Sequence, residues 1–222
     1  NGKIIIAGSD PKKLYVKSIK DKISSNCIDI VGNRGGFCAL RNDGTVVTWG
    51  DLMYGAGDSD LFDIKNVKKI KSSKYSFAAL RHDGSVIAWG RSSWYSDSAN
   101  GTADNTDLVK DELKSGVIDI YSNQWSFVAI KDDGTGNGTY KVISWGGHQG
   151  NTGYGAAGET TKYGIRNHTG AFDITVLDSN VKKIIPSVNN WYIIKADNKA
   201  YFWGLLSNNS GANTTEKLSQ LT

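Results

Sequence analysis

Four stretches of this chain can be laid over one another from a shared turn. Anchored on Asp-Gly, "CIDIVGNRGGFCALRNDGTVVTWG" (Cys27 to Gly50) aligns without a gap on "VKKIKSSKYSFAALRHDGSVIAWG" (Val67 to Gly90). "VIDIYSNQWSFVAIKDDG" (Val117 to Gly134) continues through a six-residue insertion into "KVISWG", ending at Gly146, and "VKKIIPSVNNWYIIKADNKAYFWG" (Val181 to Gly204) needs no gap. The first eight residues, "NGKIIIAG", read as the tail of a fifth copy with Asn1-Gly2 at the turn. Self-similarity at roughly 40 to 60 residues marks a repeat architecture, in which each unit buries its apolar faces on its neighbours. The repeats run approximately 1–26 (partial), 27–66, 67–116, 117–180 and 181–222, within one domain.

Each copy reads as a short V-x-x-I strand, a polar loop, an F-x-A-L strand, a tight turn and a V-I-x-W strand. Asp-Gly between alternating apolar runs is a strong hairpin signal, because the turn needs a positive φ that Gly adopts without steric cost. The unit is then a three-stranded antiparallel sheet, with a fourth strand allowed where the spacer is long. Small residues recur at Ala39, Ala79 and Ala129, where a neighbouring sheet comes close. Short sheets stacked around an axis hide their edges as a β-propeller, so the expected fold class is all-β, a propeller or an arc of one. The composition agrees: 7 Trp, 10 Tyr and 26 Gly against 2 Pro suit strands and turns.

The succession "V..I.S....FAAL..DG.V..WG", with the glycine-rich trailer "WGGHQGNTGYG" after the third copy, resembles the regulator-of-chromosome-condensation repeat. The wording "FAALRHDGSVIAWG" is most similar to the bacterial branch, found in secreted and surface proteins. The resemblance covers nearly the whole chain. It implies a propeller, commonly seven-bladed, that serves as a guanine-nucleotide exchange factor for a small GTPase, a chromatin binder, an inhibitor of secreted enzymes, or a module of toxins and adhesins. A fold that hosts several functions names none of them. With five turn-plus-W-G strands but four V-x-x-I and F-x-A-L pairs, the chain reads as an arc of a larger ring, its further blades coming from the parent chain or another chain. The start, without Met or signal sequence, suggests a processed or excised piece.

Each candidate catalytic constellation has a plainer reading. His82 stands before an Asp-Gly turn where other copies carry Asn42, Asp132 and Ala196; His148 and His168 lie twenty residues apart without zinc-ligand spacing. "GDSD" and "ADNTD" lack the alternating pattern of a calcium loop, and "GYGAAG" lacks the Lys-Ser/Thr ending of a phosphate loop. Asp43, Asp83 and Asp133 recur because they form turns. No metal and no cofactor is expected, and the chain is read as a non-enzyme. A formal charge of +4 is mild. The lysines of "KNVKKIKSSK" read as a protected sheet edge rather than a nucleic-acid surface. No stretch approaches a membrane span. Cys27 and Cys38 align with apolar strand positions and read as buried free thiols.

Function is expected where the copies differ. The loop between the first two strands reads "GNRGG", "SSKYS", "SNQWS" and "PSVNN", placing Lys74 and Tyr75, then Gln124 and Trp125, at equivalent tips. The loop after W-G carries Tyr54, then Trp94 and Tyr95, then His148 and Tyr154. Aromatic residues among Ser, Gly and Asn are the composition of protein-binding surfaces, and planar rings also stack on sugars. That some of these rings instead plug the ring centre or cover a blade edge stays open. By contrast Phe37, Phe77, Phe127 and Trp191, and Trp49, Trp89, Trp145 and Trp203, recur at fixed strand positions and are expected in the core. The resulting expectation is a non-catalytic binding module of a secreted or cell-surface bacterial protein, a toxin or adhesin, that recognises a protein or glycan; a nucleotide-exchange factor is the alternative.

Overall fold

The computed structural model describes residues 2, 4–5, 19–57, 64–90, 106–146, 178–188 and 190–204. Among them each repeat forms three antiparallel strands. The first blade is β1 (Cys27–Gly32), β2 (Gly36–Arg41) and β3 (Val46–Gly50); the second is β4 (Val67–Ser72), β5 (Ser76–Arg81) and β6 (Val86–Gly90). The third is β7 (Val117–Ser122), β8 (Ser126–Asp132) and β9 (Tyr140–Gly146), and the fourth β10 (Val181–Pro186), β11 (Asn190–Lys195) and β12 (Ala200–Gly204). Strands pair in sequence order, and a bridge between Val181 and Tyr140 joins the third and fourth blades into one six-stranded sheet.

The V-x-x-I spacing has a structural cause. Side chains three apart on a regular strand point to opposite faces, yet Val67 and Ile70 are both buried, as are Val117 and Ile120, and Val181 and Ile184. A register shift between the first and third residues of every first strand, at Cys27/Asp29, Val67/Lys69, Val117/Asp119 and Val181/Lys183, turns both apolar residues to one side.

The turns behave as their sequence predicts. Asp43 Oδ1 accepts from the Thr45 amide at 3.0 Å and its hydroxyl at 2.6 Å, and Asp83 repeats this with Ser85 at 2.9 and 2.7 Å. Gly44 and Gly84 both have φ +78°, and Asn198 takes the equivalent left-handed place in the fourth blade at +65°. The turns also link blades: the Gly44 carbonyl accepts from Val67 N and the Gly84 carbonyl from Val117 N, both at 2.9 Å. At the third turn, where the insertion lengthens the loop, the Asp133 carboxylate substitutes, taking the Asn180 amide at 2.8 Å.

One interface pattern recurs. Cys38, Leu40 and Val46 of the first blade pack on Val67, Ile70, Phe77, Ala79 and Trp89 of the second. Ala78, Leu80 and Val86 meet Val117, Ile120, Phe127, Ala129 and Trp145 in the same way, and Val128, Ile130 and Val142 meet Val181, Ile184, Trp191 and Ile193. Sheets packed face on face in succession make the arc of a β-propeller. Phe77, Phe127, Trp191, Trp49, Trp89 and Trp145 are buried, as their recurrence predicts; the Trp203 side chain lies outside the described residues. Phe37 departs from the expectation. It is 39% exposed, because Ile19 and Ile23 cover Ala39, Val47 and Trp49 on the face it shares with Ile30 but leave Phe37 and Ile30 open.

The structure adds a helix, α1 (Thr106–Leu113), that the strand-centred reading of the sequence passed over. Its Val109 and Leu113, four apart, join the core between the second and third blades. Ile19 and Ile23 do the same for the first blade, beside Trp49. The lysine run at 65–74 is likewise placed differently in part: β4 is an edge strand, but Lys69 reaches to the next blade and pairs with Asp119 at 2.6 Å. Both cysteines are free; Cys38 is buried and Cys27 half-buried, and burial raises the pKa of each thiol.

Candidate functional site

The loops between first and second strands close as two-residue hairpin tips at Arg34-Gly35, Lys74-Tyr75 and Gln124-Trp125, and Val188 stands at the matching place in the fourth blade. Before each of the first three tips stands a short polar residue that folds it. Asn33 Oδ1 accepts the amides of Gly35 and Gly36 at 2.9 Å, and Asn123 Oδ1 those of Trp125 and Ser126 at 2.8 Å. Ser73 fills the same role in the second blade, its hydroxyl 2.8 Å from that of Ser76. Such side-chain-to-backbone bonds are why Asn and Ser occupy these positions.

The tips are then tied to one another across the blades. Arg34 N donates to the Lys74 carbonyl at 3.0 Å, Lys74 N to the Gln124 carbonyl at 2.7 Å, and Gln124 N to the Val188 carbonyl at 3.1 Å. This main-chain staircase fixes four residues, Arg34, Lys74, Gln124 and Val188, in a row at one end of the arc. Arg34 and Val188 are exposed, the latter by 65%.

Against the row lies a stack of rings. Tyr54 comes from a 3-10 turn at Leu52–Tyr54 that follows β3, started by Asp51, whose carboxylate accepts the Met53 amide, and ended by Gly55 at φ +75°. Asn33 Nδ2 donates to the Tyr54 carbonyl at 2.7 Å, and the Tyr54 ring lies directly on Gly35, where any side chain would collide with it. Tyr54 stacks on Tyr75 with centroids 5.9 Å apart, and Tyr75 meets Trp125 at 5.7 Å with planes tilted by 54°. The Lys74 ammonium sits 4.4 Å from the Trp125 ring centroid and 5.3 Å from that of Tyr75. Ring pairs of this geometry contribute about 0.5–1.5 kcal/mol each beyond area burial, and exposed cation–π contacts about 0.5–1 kcal/mol.

Five of the residues expected from the loops, Tyr54, Lys74, Tyr75, Gln124 and Trp125, are thus brought into one surface. Tyr75 is buried to 7% exposure and serves as the floor between the other two rings; Tyr54, Lys74, Gln124 and Trp125 are half-buried and keep a face to solvent. Trp94, Tyr95, His148 and Tyr154 lie outside the described residues. Arg34 and Val188 escape a search for aromatic tips, although the repeat alignment places them level with Lys74 and Gln124. The surface joins flat apolar rings to the Lys74 ammonium, which suits stacking on a planar or pyranose group and hydrogen bonding to its oxygens.

Elsewhere, titration is perturbed for structural reasons. Asp43, Asp83 and Asp133 are held below the usual carboxylate range by the hydroxyls of Thr45, Ser85 and Thr139. His82 is an exposed turn residue. Among the described residues no group of three His, Cys, Asp or Glu is placed to hold a metal ion, and no helix is long and apolar enough to cross a membrane.

No protein-family model matches the chain, and no curated protein matches it. Solved structures do. The chain is similar to Prp20p of Saccharomyces cerevisiae, a structure described with its binding to Gsp1p and histones, at 18% identity over 82% of this chain and 44% of that one, with a TM-score of 0.47. Yeast RCC1 (Prp20) with Kap60 bound gives 17% identity, 84% and 44% coverage and a TM-score of 0.48. The ectodomain of the Physcomitrella patens receptor kinase CR4 gives 16%, 80% and 41%, with a TM-score of 0.46. The chain spans less than half the length of each of these proteins.

Proposed function

We propose that the chain is a non-catalytic binding module, an arc of propeller whose hairpin tips at one end take a protein or glycan ligand. The observation that carries this is the continuous surface of Tyr54, Tyr75, Lys74 and Trp125, contributed by loops of three successive blades and held in place by main-chain bonds between the tips and by the bond from Asn33 Nδ2 to the Tyr54 carbonyl. A prearranged surface of rings and polar groups binds at low entropic cost, because its side chains are already confined before the ligand arrives. The repeat wording supports a bacterial secreted or surface protein as its setting, and with it an adhesin or toxin role.

The test is a binding screen on a glycan array and on mammalian cell surfaces, comparing wild type with Trp125→Ala and Lys74→Ala. Both variants leave the interblade core intact, so far-ultraviolet circular dichroism should not change. Loss of most of the captured signal in both is the expected result, about tenfold or more in affinity for the tryptophan variant. Equal capture by wild type and variants would remove this surface as the site. Catalysed nucleotide release from a loaded small GTPase at nanomolar protein would replace the binding-module reading with that of an exchange factor.

A further inference from the structure

The third turn holds a pair of residues that the turns of the other blades lack. Its insertion lengthens the hairpin to "DDGTGNGTY", in which Asn137 is followed by Gly138. This is the one Asn-Gly pair that lies wholly within the described residues. The Cγ of an asparagine is an electrophilic amide carbon, and the next main-chain nitrogen can close a ring on it when that nitrogen is uncrowded and free to turn. Glycine, without a Cβ, crowds it least.

The fold leaves this pair open. Gly136, Asn137 and Gly138 are exposed and belong to no strand or helix. Gly136 and Gly138 have φ of +73° and +68°, and a Cβ on either would meet nothing within 4 Å. Neither the Asn137 side chain nor the Gly138 amide has a hydrogen-bond partner among the described residues. The loop is held from its base, where the Asn137 amide donates to Thr135 Oγ1 at 3.3 Å and the Thr135 and Thr139 hydroxyls lie 3.0 Å apart.

Elsewhere the attacking nitrogen is already engaged. Asn33, Asn66 and Asn123 are followed by amides that donate to other loops: Arg34 N to the Lys74 carbonyl, Val67 N to that of Gly44 and Gln124 N to that of Val188. The Asp-Gly turns are closed in the same way. Gly44 N and Gly84 N donate to the Arg41 and Arg81 carbonyls, and Gly134 N to the Asp132 carboxylate at 2.7 Å. A nitrogen fixed in such a bond cannot swing onto the side-chain carbon before it.

We propose that Asn137 is a site of spontaneous covalent modification, in which the Gly138 nitrogen attacks Asn137 Cγ. The N–Cγ bond forms, the bond from Cγ to the side-chain nitrogen breaks, and that nitrogen leaves as ammonia with the proton given up by the Gly138 amide. Water then opens the succinimide at either carbonyl, giving aspartate or, with one methylene more in the main chain, isoaspartate. Each conversion adds one negative charge to a chain of formal charge +4. It falls in the loop whose Thr139 hydroxyl donates to Asp133, the carboxylate that takes the Asn180 amide of the fourth blade.

Incubating the folded chain in mildly alkaline buffer and comparing its tryptic peptides with those of an unincubated sample tests this. Cleavage after Lys131 and Lys141 isolates Asp132 to Lys141 as one peptide. It should gain the mass of an amide-to-acid exchange and split into two isomers, one of which accepts a methyl group from S-adenosylmethionine through an isoaspartyl carboxyl methyltransferase. Peptides carrying Asn33, Asn66 and Asn123 should keep their amides over the same time. Gly138→Ala, whose methyl group crowds the attacking nitrogen, and Asn137→Gln, which must close a larger ring, should each slow the conversion severalfold. An intact amide at Asn137 in the folded chain, under conditions where the synthetic peptide Asp132–Lys141 converts, overturns the proposal, because the fold then shields the pair. Aspartate without isoaspartate, or an unchanged rate in Gly138→Ala, overturns it too, since each excludes ring closure by the Gly138 nitrogen.

Discussion

Asp133 does what its sister aspartates do and one thing more. Asp43 and Asp83 close their own turns, whereas the Asp133 carboxylate accepts from Thr139 Oγ1 at 2.7 Å, from the Thr135 amide at 3.0 Å and, 47 residues on, from the Asn180 amide that opens the fourth blade. The Thr139 hydroxyl first, with the backbone bonds from Asn180 and Thr135 adding to it, keeps its pKa below the usual carboxylate range. A carboxylate whose pKa is depressed on folding adds stability that is fully present above the unfolded value, near pH 4, and disappears as pH falls through the folded value. Asp133→Ala should therefore be less stable than wild type at pH 7 and flatter in its loss of stability below about pH 4. Urea unfolding at a series of pH values from about 2 to 7, spanning the carboxylate range, measures both. Parallel curves for the two proteins would show that the fourth blade is not held through this group.

At the scale of the element, the same residue has different consequences in different blades. Ile70 and Ile120 are fully enclosed by the preceding sheet, while Ile30, at the identical place in β1, is 43% exposed. Truncating an enclosed isoleucine removes its contacts and leaves a cavity, at a cost of about 2–5 kcal/mol. Ile70→Ala and Ile120→Ala should fall in that range, and Ile30→Ala below about 1.5 kcal/mol, in urea unfolding of each variant. Equal losses at all three positions would mean that Ile30 is enclosed after all. The identities of the strands were legible because every copy repeats them, and the turns because Asp-Gly has one economical backbone solution. The bulge was not, since V-x-x-I alone does not say whether its two apolar residues share a face. Nor was α1: "TDLVKDEL" occurs in one spacer only, and Val109 and Leu113 become a helical pair only against the apolar sides of two blades.

Across the molecule, legibility of the site divides along the same line. The alignment put Lys74 and Tyr75 level with Gln124 and Trp125, but their meeting depends on the staircase from Arg34 to Val188, whose bonds join backbone atoms of any residue type and leave no mark in the sequence. Tyr54 enters from a different loop, through the 3-10 turn at Leu52–Tyr54 that follows β3. An arc built by nearest-neighbour packing also has a characteristic way of failing. In repeat proteins each unit is stabilised chiefly by the one beside it, so damage at one junction is felt locally before it is felt globally. Trp191, fully buried, fills the junction between the third and fourth blades and donates from Nε1 to the Ser126 hydroxyl at 2.9 Å. Trp191→Ala should remove about 3–5 kcal/mol from that junction. Hydrogen exchange should then show β10, β11 and β12 losing protection, with β4, β5 and β6, two junctions from the substitution at their far edge, protected as in wild type. Uniform loss of protection through all four blades would instead identify the arc as one cooperative unit, in which the bridge between Val181 and Tyr140 and the tip-to-tip bonds transmit the damage along its whole length.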